Sequence, residues 1–353
     1  MSFIEIKREN YSVHIDEPTI YIDNQARHRS GHMSHAMAEF KPGCFIDFNS
    51  NCSYPRWDGH SPYGWVEYRI SRDSGKTYSE ISPLPYAYQS FLDGIYMISV
   101  EKAVACEDGT IVAFCLRNDG LGPTCCEPWA SPMVVTSNDE GESWSEPYEF
   151  SHYAGRTYDA IYRDGVIYAL HFCNPNFMGK TDEHKYRLYT SRDNGKSFQE
   201  LSVIPFDTLN RGYGTMIFDG DGDLHAYAYD GGDELHIDHA ISRDLGKTWE
   251  ILSPCYVAKG ARNPQIALID GVYILHGRTA DRTGFVLYTS EDASQWDEGT
   301  IVVSGHGPGF YSNNLNLCDE QGEFLLIQFS EIFTGAAQVN VKHMNLRIER
   351  RKS

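Results

Sequence analysis

The sequence predicts an all-β fold, a six-bladed β-propeller with four antiparallel strands in each blade. Two repeated features support this prediction. The first is a turn pattern, S-x-D-x-G-x-[ST]-aromatic, whose four near-intact copies and one decayed copy are Ser71–Tyr78, Ser137–Trp144, Ser191–Phe198, Ser242–Trp249 and Ser290–Trp296. The second is a turn glycine between two apolar strands, repeated every 49 to 66 residues at Gly43, Gly109, Gly165, Gly222, Gly271 and Gly322. Four strands per unit at a period of about 50 residues are typical of propeller blades.

The residues of the first pattern, called the Asp turn below, have distinct physical roles. The aspartate side chain accepts hydrogen bonds from backbone N–H groups of its own turn. The glycine supplies a positive φ, and the final aromatic residue is expected to anchor the turn on the sheet. Because each copy follows a β-rich stretch, such as Trp65–Ile70, the pattern predicts a hairpin turn.

The two repeats run out of phase, so each unit contains one hairpin closed by the glycine and a second closed by the Asp turn. The sixth unit lacks the Asp turn. We expect its outer strand to come from the N-terminus, for instance from Phe3–Arg8, which would close the ring. Without a linker or a long helical pattern, residues 1–353 are predicted to form a single propeller domain.

Composition disfavours two classes of partner. The 353 residues carry a formal net charge of −19 and no basic stripe, which argues against nucleic acid and anionic membrane surfaces. The mean hydropathy is −0.44, and no apolar run approaches the ~18 residues of a membrane span. The N-terminus does not resemble a secretory signal, and the nine cysteines include no CxxC pair. These features predict a cytoplasmic protein with free thiols.

The residues that begin the first strand of each blade predict a ligand site on the propeller axis. They share one face with the ends of the second strands, and six such sets converge there. The predicted first positions are His35, Glu101, Asp159, Tyr213, Asn263 and Tyr311. The predicted second-strand ends are Asp47, Arg117, His171, Asp230, Arg278 and Glu331. Buried inner strands would begin with apolar residues, so this polar and aromatic set favours a binding site.

The Asp turns resemble the Asp-boxes, or BNR repeats, of the sialidase superfamily. The resemblance rests on four near-intact copies and covers almost the whole chain. It implies a six-bladed β-propeller with the Asp-boxes on the face away from the active site. Asp-boxes are structural, so they indicate the fold and not the chemistry.

The last unit resembles the strand that carries the sialidase nucleophile. The matching residues are Gly309–Leu315, Gly322 and Phe329–Glu331, and they make Tyr311 the candidate nucleophile. A tyrosine suits an anomeric carbon that bears a carboxylate, because a carboxylate nucleophile would be repelled.

The resemblance also implies a carboxylate-binding arginine and an acid/base loop. Arg282 lies 29 residues before Tyr311 and resembles the family's third arginine, while Arg278 is the competing assignment. Either guanidinium can clamp a carboxylate with two hydrogen bonds. In the loop of the first blade, Asp58 is the candidate acid, with His60 as the alternative.

Three positions depart from the family pattern. Met33 stands where the first-blade motif Phe-Arg-Ile-Pro has its arginine. In the fourth unit, Gly212-Tyr213 replaces the glutamate that partners the nucleophile, and Tyr229-Asp230 replaces the second arginine. Sialic acid substrates are therefore expected to be poor.

His35 is the candidate that replaces this machinery. A histidine on the axis can act as a general acid or base near neutral pH. It resembles the axial histidine of sialidase-like propellers that act on uronic-acid sugars, both lyases and hydrolases. In a lyase, His35, Arg117 or Arg282, and Tyr311 are candidates for the base, the cation that stabilises the enolate, and the acid.

The first hypothesis is a sialidase-like exo-glycosidase that hydrolyses a terminal acidic sugar from a small glycan. The alternatives are a uronate lyase and a non-catalytic glycan-binding propeller. The candidate catalytic residues are Tyr311, His35 and Asp58. The candidate substrate-binding residues are Arg282, Arg278, Arg117, Glu101, Asp159, Tyr213, Asn263 and Glu331.

No cofactor and no catalytic metal are predicted. The run Asp219–Asp223 is similar to a calcium loop, but Leu224 occupies the position of the sharp-turn glycine. The fourteen histidines show no HExxH pattern, although His32 and His35 are close enough in sequence to share a ligand.

Overall fold

The structure, a computed structural model, describes residues 4–31, 35–53, 64–94, 96–119, 127–176, 178–181, 183–334 and 338–351. Over these ranges the chain forms 27 β-strands and one short α-helix. No helix within them has the length and apolar character needed to cross a membrane. Four short strands come first: β1 (Ile4–Lys7), β2 (Tyr11–Ile15), β3 (Thr19–Ile22) and β4 (Arg29–Ser30).

The remaining strands form six antiparallel sheets, the blades of a β-propeller. Blade one contains β5 (Met37–Lys41), β6 (Cys44–Ser53), β7 (Gly64–Ser71) and β8 (Ser82–Pro83), and helix α1 (Pro85–Asp93) follows it. Blade two contains β9 (Tyr96–Ala105), β10 (Ile111–Asp119), β11 (Met133–Ser137) and β12 (Tyr148–Glu149). Blade three contains β13 (Gly155–Arg163), β14 (Val166–Cys173), β15 (Lys185–Ser191) and β16 (Gln199–Ile204).

The second half of the chain repeats this arrangement. Blade four contains β17 (Arg211–Phe218), β18 (Leu224–Asp230), β19 (His236–Ser242) and β20 (Glu250–Tyr256). Blade five contains β21 (Arg262–Ile269), β22 (Val272–Arg278), β23 (Gly284–Ser290) and β24 (Thr300–Ser304). Blade six contains β25 (Ser312–Asp319), β26 (Gly322–Ile332) and β27 (Val339–Arg350), together with N-terminal strands. The predicted fold class is confirmed.

The first strand of every blade lies at the axis. Strands β5, β9, β13, β17, β21 and β25 each contact the next in this order, and β25 contacts β5. Because the strands of a blade alternate in direction, the starts of the inner strands share one face with the ends of the second strands. The Asp turns connect third and fourth strands, so they lie on the opposite face.

The N-terminal strands complete blade six, but the strand that lies next to β27 is not the predicted one. Strand β2 is the outer neighbour of β27, with Val13 opposite Ile348, and β1 pairs only with β2 as a fifth strand. The expectation that Phe3–Arg8 supplies the fourth strand is therefore wrong by one strand. The reason is burial: Tyr11, Val13 and Ile15 are all buried, whereas only Ile6 is buried in β1.

Apolar packing between neighbouring blades holds the ring together. In blades five and six, the ring of Phe285 stacks on that of Phe329 at 5.1 Å between centroids. Both faces of a blade are covered, and strand β22 is accordingly buried at every position. This explains why β22 lacks the alternating pattern of apolar and polar residues found in half-exposed sheets.

The turn chemistry follows the sequence patterns. The six glycines of the first hairpins all have φ between +71° and +109°. In the Asp turn of blade four, Asp244 accepts hydrogen bonds from Ser242 Oγ (2.8 Å) and from the backbone N–H (2.8 Å) and hydroxyl (2.7 Å) of Thr248. The bonds from Thr248 lower the pKa of Asp244 to about 2. Asp73, Asp139 and Asp193 accept the same set of bonds from their own turns.

Candidate functional site

A polar pocket lies on the axis, at the face where the inner strands begin. Its lining residues are His35, Glu101, Arg156, Tyr158, Tyr213, Gly214, Asn263, Pro264, Gln265, Tyr311, Ser312 and Asn313. Five of them were predicted from sequence, namely His35, Glu101, Tyr213, Asn263 and Tyr311, and they come from five different blades. The ring thus brings together residues that are up to 276 positions apart.

Two tyrosines form the centre of the pocket. The hydroxyl groups of Tyr213 and Tyr311 are 3.1 Å apart. Burial raises the pKa of Tyr213 well above its usual range, and the neighbouring Tyr311 raises it further. Tyr213 therefore keeps its proton and can donate it in a hydrogen bond to the Tyr311 oxygen.

Irregular backbone directs Tyr213 towards the axis. Strand β17 shifts register between Gly212 and Gly214, and Tyr213 adopts a positive φ of 59° at this bulge. A Cβ atom on Gly214 would lie 3.0 Å from Leu170 Cδ2 and from the Tyr227 carbonyl oxygen. Bulges re-aim side chains in this way. The equivalent strand of blade five carries a similar irregularity, with Asn263 at φ 56°.

A buried ion pair forms one wall. Arg156 Nε donates to Glu101 Oε2 at 2.8 Å, and its second nitrogen contacts Glu101 Oε1. Burial opposes the arginine charge, but Glu101 outweighs it, so the pKa of Arg156 lies well above its ordinary value. The guanidinium also lies 4.7 Å from the ring centroid of Trp129 and 5.5 Å from that of Tyr213. Glu101 is thus a partner of Arg156, and the pair braces Tyr213.

Two further arginines interact electrostatically with the tyrosine pair. Arg262 lies 3.4 Å from Glu234 Oε1 and 5.5 Å from the ring centroid of Tyr229, and both pocket tyrosines raise its pKa against the effect of burial. Arg278 is 2% exposed and donates to the Gly309 carbonyl oxygen at 3.2 Å. Its Nε is buried and has no hydrogen-bond partner among the residues that the structure describes.

His35 contributes a ring nitrogen to the same pocket. It is 4% exposed, and its Nδ1 lies 2.9 Å from Gln328 Oε1. The strand that follows it, β5, belongs to blade one, and Gln328 belongs to blade six. The contact therefore spans the seam where the ring closes.

Asp159 lies in the axial channel below the pocket. Its carboxylate contacts Lys102 Nζ at 2.9 Å and accepts bonds from Thr215 Oγ1 and the Met216 N–H, both at 2.8 Å. Lys102 also donates to Gln265 and Asn313, which line the pocket floor. Asp159 therefore does not line the pocket, and its carboxylate is occupied by contacts within the channel.

Besides Asp159, four of the candidate substrate-binding residues do not line the pocket, namely Arg117, Glu331, Arg282 and Arg278. Arg117 Nε donates to the Ser131 carbonyl oxygen at 2.8 Å, and Glu331 pairs with Lys342 at 2.6 Å. Arg282 is exposed, on a turn. Of the two competing arginines, Arg278 is buried and interacts electrostatically with Tyr311, whereas Arg282 is exposed. Asp58 and His60 lie outside the described residues.

Sequence reasoning missed Arg156 and Arg262. Strand β13 begins at Gly155 and β21 at Arg262, upstream of the starts assumed at Asp159 and Asn263. Both strands continue past the assumed starts, through an irregularity in their pairing between Thr157 and Asp159 in β13 and between Arg262 and Gln265 in β21. An available signal was the arginine at the first or second position of three successive inner strands, namely Arg156, Arg211 and Arg262.

Comparison with known proteins supports the architecture. No protein-family model matches the sequence, and no curated protein matches it significantly. A protein of unknown function from Dyadobacter fermentans matches with a TM-score of 0.75 and 15% identity, over 96% of this chain and 99% of its own. A Hadza microbial sialidase matches with a TM-score of 0.67 and 14% identity, over 95% of this chain and 68% of its own. The Trypanosoma rangeli sialidase, solved as a covalent intermediate, matches with a TM-score of 0.63 and 12% identity, over 94% of this chain and 58% of its own.

The fold is the sialidase-like six-bladed β-propeller. At these identities the likeness shows the fold alone, so the chemistry has to be argued from the pocket. The pocket offers a tyrosine pair, a histidine and the Arg156–Glu101 ion pair, and Arg262 and Arg278 interact electrostatically with the tyrosines from outside its lining. Within the described ranges, no cluster of three or more His, Cys, Asp or Glu side chains could hold a metal ion.

Proposed function

We propose that the protein is a carbohydrate-active enzyme, an exo-glycosidase that hydrolyses a terminal acidic sugar from a small glycan. The observation that carries the proposal is the Tyr213–Tyr311 hydroxyl pair at 3.1 Å, next to buried arginines on the axis. The small polar pocket at the end of the channel suits a single terminal sugar rather than an internal residue of a polymer.

Arg278 is the proposed binder of the sugar carboxylate. It is buried beside Tyr311, and its Nε has no partner within the described part of the chain. Burial lowers the pKa of Arg278, and an anionic ligand would offset this cost. Arg156 is already neutralised by Glu101, so it positions Tyr213 instead of binding the substrate.

Tyr311 is the proposed nucleophile. Its oxygen forms a bond to the anomeric carbon while the glycosidic C–O bond breaks, and the leaving oxygen takes up a proton. Water then cleaves the tyrosyl–sugar bond, and Tyr311 regains its proton. The hydrogen bond from Tyr213 and the charges of the arginines stabilise the phenolate form of Tyr311 as it is released. His35 and Asp58 are the proposed proton carriers.

A uronate lyase is the second candidate, and the placement of His35 favours it. A lyase base removes the proton on the carbon beside the carboxylate, a C=C bond forms, and the leaving oxygen takes a proton. His35 as the base and Tyr311 as the acid would meet this need in one pocket. The replacement of a glutamate by the proton-retaining Tyr213 is compatible with this chemistry, since Tyr213 can donate a hydrogen bond to Tyr311 but does not take up its proton.

The test is a turnover screen with glycans that carry a terminal sialic or uronic acid, followed by mass spectrometry. Hydrolysis adds the mass of one water to the summed products, whereas elimination adds nothing and creates a conjugated, ultraviolet-absorbing product. We expect the first result on at least one uronic acid glycan. Binding without turnover would contradict enzymatic activity and leave a glycan-binding propeller.

A further inference from the structure

We propose that Gln328, Asp47 and His343 are positioning residues that hold His35 in one tautomer, with the proton on Nδ1 and an unprotonated Nε2. The inference rests on the proposed function only in that it gives His35 a chemical task. The structural part of the argument depends solely on the contacts of these four side chains.

The four side chains form a continuous chain of contacts. His35 Nδ1 lies 2.9 Å from Gln328 Oε1, and Gln328 Nε2 donates to Asp47 Oδ1. Asp47 Oδ2 lies 2.9 Å from His343 Nε2. The chain runs from the pocket towards the opposite face, where His343 Nδ1 lies 3.1 Å from the hydroxyl of Tyr78, the last residue of an Asp turn.

The direction of the hydrogen bonds follows from the carboxylate. As a carboxylate, Asp47 is an acceptor at both oxygens: Oδ1 faces Gln328, and Oδ2 lies 2.9 Å from His343 Nε2. The group of Gln328 that faces Oδ1 must then be its NH₂, because the amide oxygen cannot donate. The amide oxygen is consequently left for His35, and only a protonated Nδ1 can donate to it.

Because the four side chains are buried, their polar atoms need hydrogen-bond partners within the protein. Gln328 and Asp47 are fully buried, and His35 and His343 are 4% and 7% exposed. The His343 ring is held by stacking on Tyr21, with centroids 4.0 Å apart at 15°. Reversal of Gln328 would place its amide oxygen against Asp47 Oδ1, two acceptors with no proton between them, and a buried acceptor without a donor is costly.

The consequence for the pocket is a histidine with a basic Nε2. A neutral imidazole has one donor and one acceptor nitrogen, and the Gln328–Asp47 pair assigns the donor. His35 is thereby prepared to accept a proton, which is the role of a base towards water in hydrolysis or towards a carbon acid in elimination.

The experiment is ¹⁵N NMR of the full-length protein labelled at its histidine ring nitrogens, with His35→Gln used to assign the His35 signals. Couplings to the ring C–H protons distinguish the two nitrogens. In the wild-type protein we expect a neutral His35 with the proton on Nδ1. A proton on Nε2 would overturn the proposal, whether or not any glycan is turned over.

Two variants test the positioning residues. In Gln328→Met and in Asp47→Asn, we expect the proton of His35 to appear on Nε2 in part of the population. On a substrate from the glycan screen, kcat should fall at least about tenfold, since general acid–base catalysis contributes about 10²–10⁴-fold. A folded variant with the wild-type tautomer would overturn the proposal, and the wild-type spectrum remains decisive if neither variant folds.

Asp219→Asn is the matched control. Asp219 Oδ2 lies 3.1 Å from His225 Nε2 in blade four, so this variant also removes a carboxylate–histidine contact. It should leave the His35 signals and kcat unchanged. A glycan screen without any turnover, combined with the expected tautomer, would overturn the proposed function while leaving this inference intact.

Discussion

At the scale of single residues, the pocket differs from the pattern implied by the resemblance to sialidases in the partner of Tyr311. The resemblance to sialidases implies a glutamate there, and the structure has Tyr213, whose burial keeps it protonated. A proton donor stabilises a phenolate but cannot accept its proton. The partner therefore determines whether the phenolate or the protonated hydroxyl of Tyr311 is favoured. This in turn determines which reaction Tyr311 can support.

Tyr213→Phe tests this contact. The substitution removes the hydroxyl that faces Tyr311 and keeps the ring, so we expect kcat to fall by about 10²-fold, as for the loss of one donor to a developing anion. Tyr189→Phe is the control, because it removes a hydroxyl paired with Ser151 Oγ at 2.9 Å, away from the pocket. Equal kcat values for the two variants would exclude a role for Tyr213 in the reaction.

Arg278→Lys separates the two candidate carboxylate binders. Lysine retains the charge but loses the planar fork. A hydrogen bond to a charged group contributes about 1.5–3 kcal/mol, so kcat/KM should fall by about 10- to 100-fold. Arg282→Lys should leave kcat/KM unchanged, since Arg282 is exposed on a turn. The reverse pattern in steady-state kinetics would return the role to Arg282.

At the scale of elements, the inner strands show how far the sequence is informative. Glycine spacing located all six first hairpins, because a positive φ strongly selects glycine. The sequence is less informative about where a strand begins: it predicts an inner strand that starts at Asp159, whereas β13 begins at Gly155. Bulges shift the register by one residue and leave no compositional mark, so Arg156 could not be placed beside Glu101 from sequence alone.

Gly214→Ala tests the bulge that orients Tyr213. The added Cβ would lie 3.0 Å from backbone and side-chain atoms of neighbouring strands, and overpacking typically costs about 1–3 kcal/mol. We expect a lower free energy of unfolding by denaturant, together with a lower kcat. Gly220→Ala is the control, because its Cβ would meet nothing within 4 Å. Equal stability of the two variants would show that β17 tolerates the change.

At the scale of the whole molecule, the closed ring makes the site. His35 and Tyr311 are far apart in the chain, and they meet because blade six, completed by N-terminal strands, lies next to blade one. The repeat pattern predicts that blades six and one are neighbours. It could not predict the tautomer-setting contact of His35 with Gln328, because that contact depends on side-chain packing across the seam.

Buried histidines give the molecule a characteristic acid sensitivity. Burial lowers the pKa of His171 to about 4, that of His239 to about 4 and that of His276 to about 3. The unfolded chain binds protons at these sites near pH 6.5, so it binds more protons than the folded state between about pH 6.5 and 4. Stability is therefore complete above pH 6.5 and is lost as the pH falls towards 4.

His171→Gln tests this dependence. The fall in the pKa of His171 from 6.5 to about 4 corresponds to about 3 kcal/mol, so the variant should lose less free energy of unfolding between pH 6.5 and 4 than the wild type. Denaturant titrations at both pH values measure the difference. His306→Gln, at an exposed position, should keep the wild-type slope, and an identical slope in His171→Gln would contradict the assignment.

The most direct test of the account is the turnover and melting temperature of Tyr311→Phe, measured on the same purified sample with a substrate from the glycan screen. The ring and its volume are retained, so the melting temperature should change little. Turnover should fall by about 10²-fold or more, because the hydroxyl that faces Tyr213 is the proposed reacting group. Near-normal turnover by a folded Tyr311→Phe protein would remove Tyr311 from the chemistry and contradict the central claim.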